Sequence, residues 1–574
     1  MKKILIYLKD YKKETILAPL FKMLEASFEL FVPLVIAGII DRGIENKDTN
    51  HILRMGGVLI LLGIIGLVCS VTAQYFSAKA ATGFASRLRG VLFGHIQKLS
   101  FSQLDEAGTA TLITRMTSDV NQVQSGVNLV LRLFLRSPFI VFGAMIMAFT
   151  VDVKAAFIFV VTIPLLSIVV FGIMLVSIPL YKKVQVALDK VLGKTRENLT
   201  GIRVIRAFNK EEEEKQDFYE KNEELNRVQV FVGRFSALMN PVTYVIVNGA
   251  ILFLIWSGAL QVEAGALQQG EVVALVNYMS QILVELVKLA NLIITVTKAI
   301  ACGNRIEEVL EMPVDSEKEA ERILEEYKGA IVFEKVTFAY HKDAQPAVKD
   351  ISFVAKKGET IGIIGGTGSG KSTIVNMLPA FYKPTEGKIF IDGKNVNSYE
   401  ETELKNKIGM VMQKAVLFKG SIADNLRFGK EDATEEEMWQ ALSMAQAREF
   451  VEQKEGKLEF QINEGGKNLS GGQRQRMTIA RALVKKPEIL VLDDSASALD
   501  YATDAALRKA LKETGENQIT FIVSQRAASI MHADRILVLD EGEMVGLGKH
   551  EELLKNCQVY KEIYNSQFRG EAAV

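Results

Sequence analysis

A glycine-rich stretch followed by lysine and serine is the clearest candidate for chemistry in this chain. Residues 365–372 fit the pattern GxxxxGK[ST], with an apolar run before them and a helical pattern after them. Glycines let successive backbone N–H groups turn towards phosphate oxygens, and the helix N-terminus adds its dipole. Lys371 would then reach the β- and γ-phosphates, and the Ser372 hydroxyl would bind Mg²⁺. The predicted nucleotide contacts are Gly365, Gly366, Thr367, Gly368, Ser369, Gly370, Lys371, Ser372 and Thr373.

A carboxylate at the end of a second apolar run is a further candidate for metal binding. Asp493 follows the apolar residues 489–492, and an acidic residue in that place can hold Mg²⁺ beside a nucleotide. By itself this signal is weak, because many strands end in aspartate. Ahead of it, residues 469–476 read Leu-Ser-Gly-Gly-Gln-Arg-Gln-Arg and precede a helical pattern.

With this third motif the chain resembles the ABC transporters, in the exporter arrangement that places a membrane domain ahead of the ATPase domain. LSGGQ is the diagnostic signature of that family, and here it supplies Ser470, Gly471, Gly472 and Gln473. Segments 117–124 and 198–208 also resemble the exporter pattern, so the likeness covers nearly the whole chain. The remaining motif residues follow in the family's order: Tyr340, the phosphate loop, Gln413, the signature, Asp493 and the segment Ser497-Ala498-Leu499-Asp500.

The resemblance implies a role for each of these residues and a dimeric mechanism. Tyr340 would stack on the adenine ring, although it could also be an ordinary aromatic residue at a strand end. Gln413 would contact Mg²⁺ and the attacking water. Ser470 and the glycines after it would contact the γ-phosphate of ATP that is held by the opposite ATPase domain. Gln473 and Asp500 are also expected to bind nucleotide. ATP and Mg²⁺ are therefore the implied cofactors, and a second half-transporter chain is the implied partner.

Two positions depart from the family, and both concern hydrolysis. Asp494 stands where the family usually carries the glutamate that polarises the attacking water, and Gln525 stands where it carries histidine. The shorter side chain withdraws the carboxylate by roughly 1.5 Å, and a misplacement of about 1 Å can cost about 100-fold in rate. Glutamine can donate a hydrogen bond to the γ-phosphate, but it carries neither a proton to transfer nor a positive charge.

These departures predict a site that binds ATP and hydrolyses it poorly. We expect an asymmetric heterodimer in which the partner carries glutamate and histidine at the matching positions. In that case the intact signature of this chain completes the competent site on the partner. A slow homodimeric exporter is the alternative.

The elements that position these motifs belong to an α/β domain. Beyond a charged linker at 313–329, short β-branched runs alternate with helical patterns, which predicts a P-loop ATPase domain with parallel strands at 330–574. The predicted strands are Ala330–Phe338, Thr360–Ile364, Glu488–Leu492, Gln518–Ser524 and Arg535–Leu539.

Residues 1–312 predict an all-α membrane domain. Apolar runs that can cross a bilayer, each needing roughly 20 residues, occur only in this part of the chain. Segments 78–136 and 181–239 are rich in lysine and arginine, whereas the connectors 151–154 and 259–271 are not. The positive-inside rule therefore places the N-terminus and the ATPase domain in the cytoplasm, in a multi-pass protein of the cytoplasmic membrane. The six predicted spans are 17–40, 56–77, 137–151, 155–177, 240–260 and 272–298.

The composition argues against one class of partner, and the family likeness implies a broad class of cargo. The net charge is zero, from 68 basic and 68 acidic residues, which argues against a nucleic-acid partner. The likeness implies export of amphipathic drugs or lipids, with an ATP-gated channel or regulator as the alternative from another class. Charged residues in the spans are candidates for cargo contact or gating, although two of them could simply pair. They are Glu25, Glu29, Asp41, Glu285 and Lys288.

Overall fold

The computed structural model describes residues 1, 3–314, 324–341, 344–495, 498–514 and 517–568. The chain divides into two units, of which the first comprises Met1–Lys98 and Ala107–Pro313, and the second Leu99–Glu106 and Val314–Val574. Most of the predicted linker at 313–329 lies outside the described residues, as does Ser497 of the segment ending at Asp500.

The first unit is all α-helical, and six of its helices are long and apolar enough to cross a membrane. Each of the six contains one of the predicted spans. The longest has 55 residues, which corresponds to roughly 80 Å at 1.5 Å per residue, whereas the hydrocarbon core is about 30 Å thick. The helices therefore extend well beyond the bilayer. Their bounds are Ile4–Ile44, Thr49–Ile96, Thr109–Val151, Val153–Ala207, Glu211–Glu263 and Gln269–Leu310.

Polar caps start two of these helices directly after short connectors. The Asp48 carboxylate accepts a hydrogen bond from the His51 backbone N–H at 3.1 Å. The Asp152 carboxylate accepts one from the Ala155 N–H at 2.6 Å, after a single extended residue between two helices. Because each cap satisfies a backbone donor that the helix cannot, a sharp reversal between two spans remains stable.

The second unit is built on a six-stranded sheet that is parallel except for one edge strand. In the central strand Ile489–Asp493, Leu490 and Leu492 belong to one buried cluster, and Ile489 and Val491 belong to another. Both faces of the sheet are covered, which is why these strands read as continuous apolar runs. In spatial order the strands are Glu543–Gly548, Arg535–Asp540, Thr360–Gly365, Ile519–Val523, Ile489–Asp493 and Ile408–Val411.

One predicted strand belongs to a different sheet. Ala330–Phe338 was expected to join a parallel sheet, but it pairs antiparallel with Val348–Lys356 and with Glu386–Ile391. Apolar alternation along a strand does not specify the direction of its neighbours, so this expectation was wrong. Lys394–Asn395 completes the four-stranded sheet, and Gly420–Ser421 pairs with Gln461–Ile462 in a small ribbon.

Helices cover the sheets of this second unit. Those of seven or more residues are Lys371–Met377, Glu401–Lys407, Glu435–Met444, Gly471–Leu483, Tyr501–Thr514, His550–Asn556 and Gln558–Phe568. Phe101–Ala107 is a short helix, and all of it except Ala107 also clusters with this unit, where the Phe101 ring stacks on Phe381 at 4.2 Å between centroids.

Candidate nucleotide-binding site

Three neighbouring parallel strands end at one edge of the large sheet, and each of them leads into a predicted motif. Thr360–Gly365 leads into the phosphate loop, Ile489–Asp493 into Asp494, and Ile519–Val523 into Gln525. The backbone N–H of Asp494 donates to the Val523 carbonyl at 3.0 Å, which holds two of these ends together. Ligands in open α/β sheets bind outside the carboxyl ends of the strands, so this edge is the expected place for a nucleotide.

The phosphate loop turns tightly around the Lys371 side chain. The ammonium group donates to the Gly365 and Gly366 carbonyls at 3.0 and 2.5 Å. Gly370 has a φ of +90°, and a Cβ atom there would lie 2.5 Å from the Ala347 carbonyl oxygen. Only glycine fits that position, and the helix Lys371–Met377 starts directly after it. The loop therefore presents backbone N–H groups and one ammonium group at a helix N-terminus.

The predicted metal ligands lie next to each other. Ser372 Oγ donates to Asp493 Oδ1 at 2.9 Å, and Gln413 lines the same cavity. A hydroxyl, a carboxylate and an amide oxygen form the hard donor set that Mg²⁺ prefers when substrate phosphates complete its coordination. The chemistry of these residues thus fits an Mg²⁺–nucleotide complex.

The two residues that depart from the family line this cavity as well. Gln413 Nε2 donates to Asp494 Oδ2 at 3.5 Å, and Gln525 closes the cavity from the next strand. Cavity-lining residues from the sequence prediction are Tyr340, Thr367, Gly368, Gly370, Lys371, Ser372, Thr373, Gln413, Asp493, Asp494 and Gln525.

Burial shifts the ionisable groups of the cavity. It lowers the pKa of Lys371, although the Asp494 and Asp493 charges oppose that shift. Burial also raises the pKa of Asp493, against the hydrogen bond from Ser372, and that of Asp494, against the hydrogen bond from Gln413. Each carboxylate is thus partly desolvated, and a bound cation would favour its charged form.

Tyr340 lies at the mouth of the cavity with its ring held in place. Its hydroxyl is 3.0 Å from Thr373 Oγ1, and its ring contacts Phe338 and Tyr382 edge-on at 4.9 and 5.2 Å. The side chain remains 45% exposed, so an aromatic surface is open to a flat ligand.

The signature does not line this cavity. Ser470 begins the helix Gly471–Leu483, where its Oγ accepts from the Gln473 N–H at 3.3 Å and its own N–H donates to the Gln473 side chain at 3.1 Å. Among the described lining residues, none comes from 470–473, and Asp500 is absent as well. Asp500 instead accepts from the Thr503 N–H and hydroxyl at 2.8 and 3.0 Å, near the start of the next helix.

In the first unit, the charged residues of the spans have partners. Glu285 accepts from Lys288 Nζ at 2.8 Å, which is the i,i+3 pair that the spacing allows. It also accepts from Arg136 at 2.6 Å and from Ser137 at 2.8 Å, while Glu29 binds the same guanidinium at 2.7 Å. Sequence reasoning did not single out Arg136, whose signal was a lone arginine at the start of an apolar run.

The other two acidic residues in the spans are also engaged. Glu25 pairs with Lys22 at 2.6 Å. Asp41 is buried and accepts from the Gly270 backbone N–H at 2.5 Å, near the start of the sixth membrane helix. The Glu25 pair lies within one helix, whereas the Asp41 contact joins the first membrane helix to the sixth and satisfies a buried carboxylate.

Both regions match established families. Residues 15–286 match the ABC transporter transmembrane region, and residues 348–497 match the ABC transporter family. The chain belongs to the ABC transporter family and is an exporter-type half-transporter, with a membrane domain fused to an ATPase domain.

Similar proteins match most or all of the chain. The ABC transporter ATP-binding protein YfiB of Bacillus subtilis (strain 168) is 37% identical and covers 100% of both chains. YgaD of the same organism, named as a candidate multidrug export ATP-binding/permease protein, is 32% identical over 99% of each chain. The ATP-dependent lipid A-core flippase of Hahella chejuensis (strain KCTC 2396) is 31% identical over 89% of this chain and 88% of its own.

A solved structure shares the fold. A bacterial Atm1-family ABC exporter with ATP bound superposes with a TM-score of 0.79, at 22% identity, and covers 97% of this chain and 98% of its own. The predicted fold class, six membrane helices followed by a P-loop ATPase domain, is thereby confirmed.

Proposed function

We propose that this chain is one half of an ATP-driven exporter of amphipathic compounds, and that its own ATP site binds ATP but hydrolyses it poorly. The observation that carries the proposal is the presence of Asp494 and Gln525 in the same cavity as Lys371. The partner is a different half-transporter chain, with glutamate and histidine at the matching positions.

The cavity retains the residues with which the family binds nucleotide. Lys371 and the N–H groups of residues 365–373 bind the phosphates, and Tyr340 stacks on the adenine ring. Ser372, Asp493 and Gln413 hold Mg²⁺, which neutralises phosphate charge when bound. The hydroxyl contact to Thr373 fixes the Tyr340 ring before the nucleotide arrives.

Hydrolysis is the part that the two substitutions weaken. A water that attacks the γ-phosphate needs a base within hydrogen-bonding reach, and the Asp494 carboxylate is one methylene shorter than that of glutamate. Gln525 can donate a hydrogen bond to the γ-phosphate, but it cannot stabilise developing charge as a protonated histidine would.

The signature of this chain acts on the partner's nucleotide. Ser470 and Gly471 are exposed and lie outside the cavity that holds Lys371, as required if they complete a site on another chain. Because both residues are exposed, the N-terminus of Gly471–Leu483 is accessible, and its backbone donors and helix dipole can meet a γ-phosphate there. We assign Gln473 and Asp500 to nucleotide binding as well.

The cargo and the orientation follow from the membrane domain. We assign residues 1–312 to that domain, 313–329 to the linker and 330–574 to the ATPase domain, with the N-terminus and the ATPase domain in the cytoplasm. The names of YgaD and of the lipid A-core flippase support an amphipathic cargo, either a drug or a lipid.

The test compares the purified chain with its complex. Alone in lipid nanodiscs, the chain should bind ATP in the presence of Mg²⁺ but hydrolyse it slowly. Coexpression with a half-transporter that carries the glutamate and histidine should restore steady-state ATPase activity and cargo transport into inverted vesicles. Rapid hydrolysis by the chain alone would rule out the division of labour.

A further inference from the structure

The loop that carries Gln525 is bound by a side chain from the last described helix, Gln558–Phe568. Gln567 Nε2 donates to the Gln525 carbonyl oxygen at 2.8 Å. Gln567 Oε1 accepts from the Ala527 backbone N–H, also at 2.8 Å. One amide group thus binds a carbonyl and an N–H two residues apart in the chain. We call this pair of contacts the Gln567 bridge.

The bridge fixes the middle of a loop whose two ends are already held. At the start, the Ser524 N–H donates to the Ile363 carbonyl at 3.1 Å, and Ser524 Oγ accepts from the Arg526 N–H at 3.0 Å. After the loop, Ser529 Oγ donates to Asp504 at 3.0 Å. Between these anchors, a planar amide with two hydrogen bonds fixes the backbone at Gln525, and therefore the point and direction from which its side chain leaves the loop.

The helix that presents Gln567 is packed firmly against the second unit. Tyr560 is fully buried, and its hydroxyl lies 2.7 Å from His550 Nδ1. Tyr564 stacks on Phe568 at 4.5 Å, and both rings pack against the larger core cluster. Because these rings lie on either side of it in sequence, Gln567 is held by a rigid element, which is the condition for positioning another residue.

We propose that Gln567 is a positioning residue that sets the preference of this site for ATP over ADP, by holding Gln525 at the γ-phosphate. The inference rests on the proposed function, because it needs a nucleotide in the cavity that Gln525 lines. ADP lacks the γ-phosphate, so its affinity does not depend on where Gln525 points. A merely structural role for Gln567 would weaken the binding of both nucleotides alike.

The experiment measures the dissociation constants of ATP and ADP for the full-length chain in nanodiscs, by displacement of a fluorescent nucleotide with Mg²⁺ present. Gln567→Met keeps the length of the side chain and removes both hydrogen bonds. Gln558→Met is the matched control, because Gln558 lies on the same helix and its amide donates to the exposed Glu562 at 2.7 Å. Gln567→Met should weaken ATP binding roughly tenfold, as expected for one hydrogen bond to a charged group, and change ADP affinity less than about twofold.

Three further variants test whether Gln567 acts through Gln525. Gln525→Ala should weaken ATP binding to a similar degree, and Gln525→Ala with Gln567→Met should be no worse than Gln525→Ala alone, because both act through one contact. Gln567→Glu keeps the acceptor for the Ala527 N–H and loses the donor to Gln525. It should shift the preference in the same direction, and it serves as the readout if Gln567→Met does not fold.

The outcomes separate this inference from the proposed function. Equal losses for ATP and ADP, an unchanged preference, additive losses in the double variant, or a wild-type chain without a preference for ATP would each overturn the role of Gln567. Failure of the wild-type chain to bind either nucleotide, with no further effect of Lys371→Ala, would overturn the proposed function itself.

Discussion

The nucleotide cavity and the signature surface belong to the same ATPase unit, yet they keep the family's residues to different degrees. In the cavity, Lys371, Ser372 and Asp493 are those of the family, while Asp494 and Gln525 are not. The signature stretch 469–473 is unchanged, and its first serine makes a complete capping box. Among the described residues that line the cavity, none comes from the signature stretch.

Under the proposed function, this difference means that the substitutions weaken hydrolysis in the cavity and leave nucleotide binding and the signature intact. Residues that would bind phosphate and Mg²⁺ are retained beside residues that would handle the attacking water poorly. A general loss of function would have affected the glycines of the loop and the signature as well. The two regions can therefore be separated by substitutions, and the following predictions do so in order of decreasing effect.

The largest expected effect is on nucleotide binding in the cavity. Lys371→Ala removes an ammonium group that faces the phosphates, with contacts worth about 1.5–3 kcal/mol each, so ATP affinity at this site should fall at least roughly 100-fold. Hydrolysis at the partner's site should fall less. Site-resolved nucleotide binding in the complex measures both, with Lys388→Ala as the control, because Lys388 is an exposed residue of the strand Glu386–Ile391. Simultaneous loss of both sites would show that they are not separable.

The second effect concerns turnover of the complex at saturating ATP. Ser470→Ala should lower the steady-state ATPase rate on the order of 100-fold, because one well-placed donor to the γ-phosphate is lost in the site that hydrolyses. Asp494→Ala should lower it much less, because little hydrolysis occurs at its own site. If Asp494→Ala proves the more harmful, this chain supplies the working carboxylate and the division between the regions is wrong.

A gain of function should follow from restoring the cavity. Asp494→Glu together with Gln525→His should raise hydrolysis at this chain's site by roughly tenfold or more, since positioned general bases contribute about 100-fold or more. Single-turnover hydrolysis of prebound ATP measures the change, and each single substitution should give a smaller gain. If the double variant shows no gain, then residues other than these two limit hydrolysis at this site.

The smallest effect is on stability, and it provides the control for Ser470. Thr434 caps the helix Glu435–Met444 with the same capping box that Ser470 uses. Ser470→Ala and Thr434→Ala should each destabilise the ATPase unit by about 1 kcal/mol. Thermal unfolding should therefore show similar, small shifts, while only Ser470→Ala lowers turnover. An equal loss of turnover in both variants would reduce the role of Ser470 to capping.

Sequence alone located most of the elements that build both regions. The runs at 360–364, 488–492 and 518–524 predicted strands that the structure places within one or two residues. The six spans were also located, and their helices proved much longer than the bilayer requires. The periodicity and length of an apolar run are local properties of the sequence. They predict an element correctly when that element is buried on both faces or faces lipid.

Tertiary structure alone decided which distant residues meet. Sequence did not show that Ala330–Phe338 pairs antiparallel, that Arg136 binds Glu29 and Glu285, or that Gln567 binds the loop of Gln525. The paired residues of the two strands are 10 to 26 positions apart, Gln525 and Gln567 are 42 apart, and Arg136 is 107 and 149 positions from Glu29 and Glu285, so no local pattern encodes these contacts. For the strand pairing and for Arg136, burial makes an unpaired backbone group or charge costly and thereby favours its partner. The contact of Gln567 is exposed, and it follows from the packing of its helix on the core.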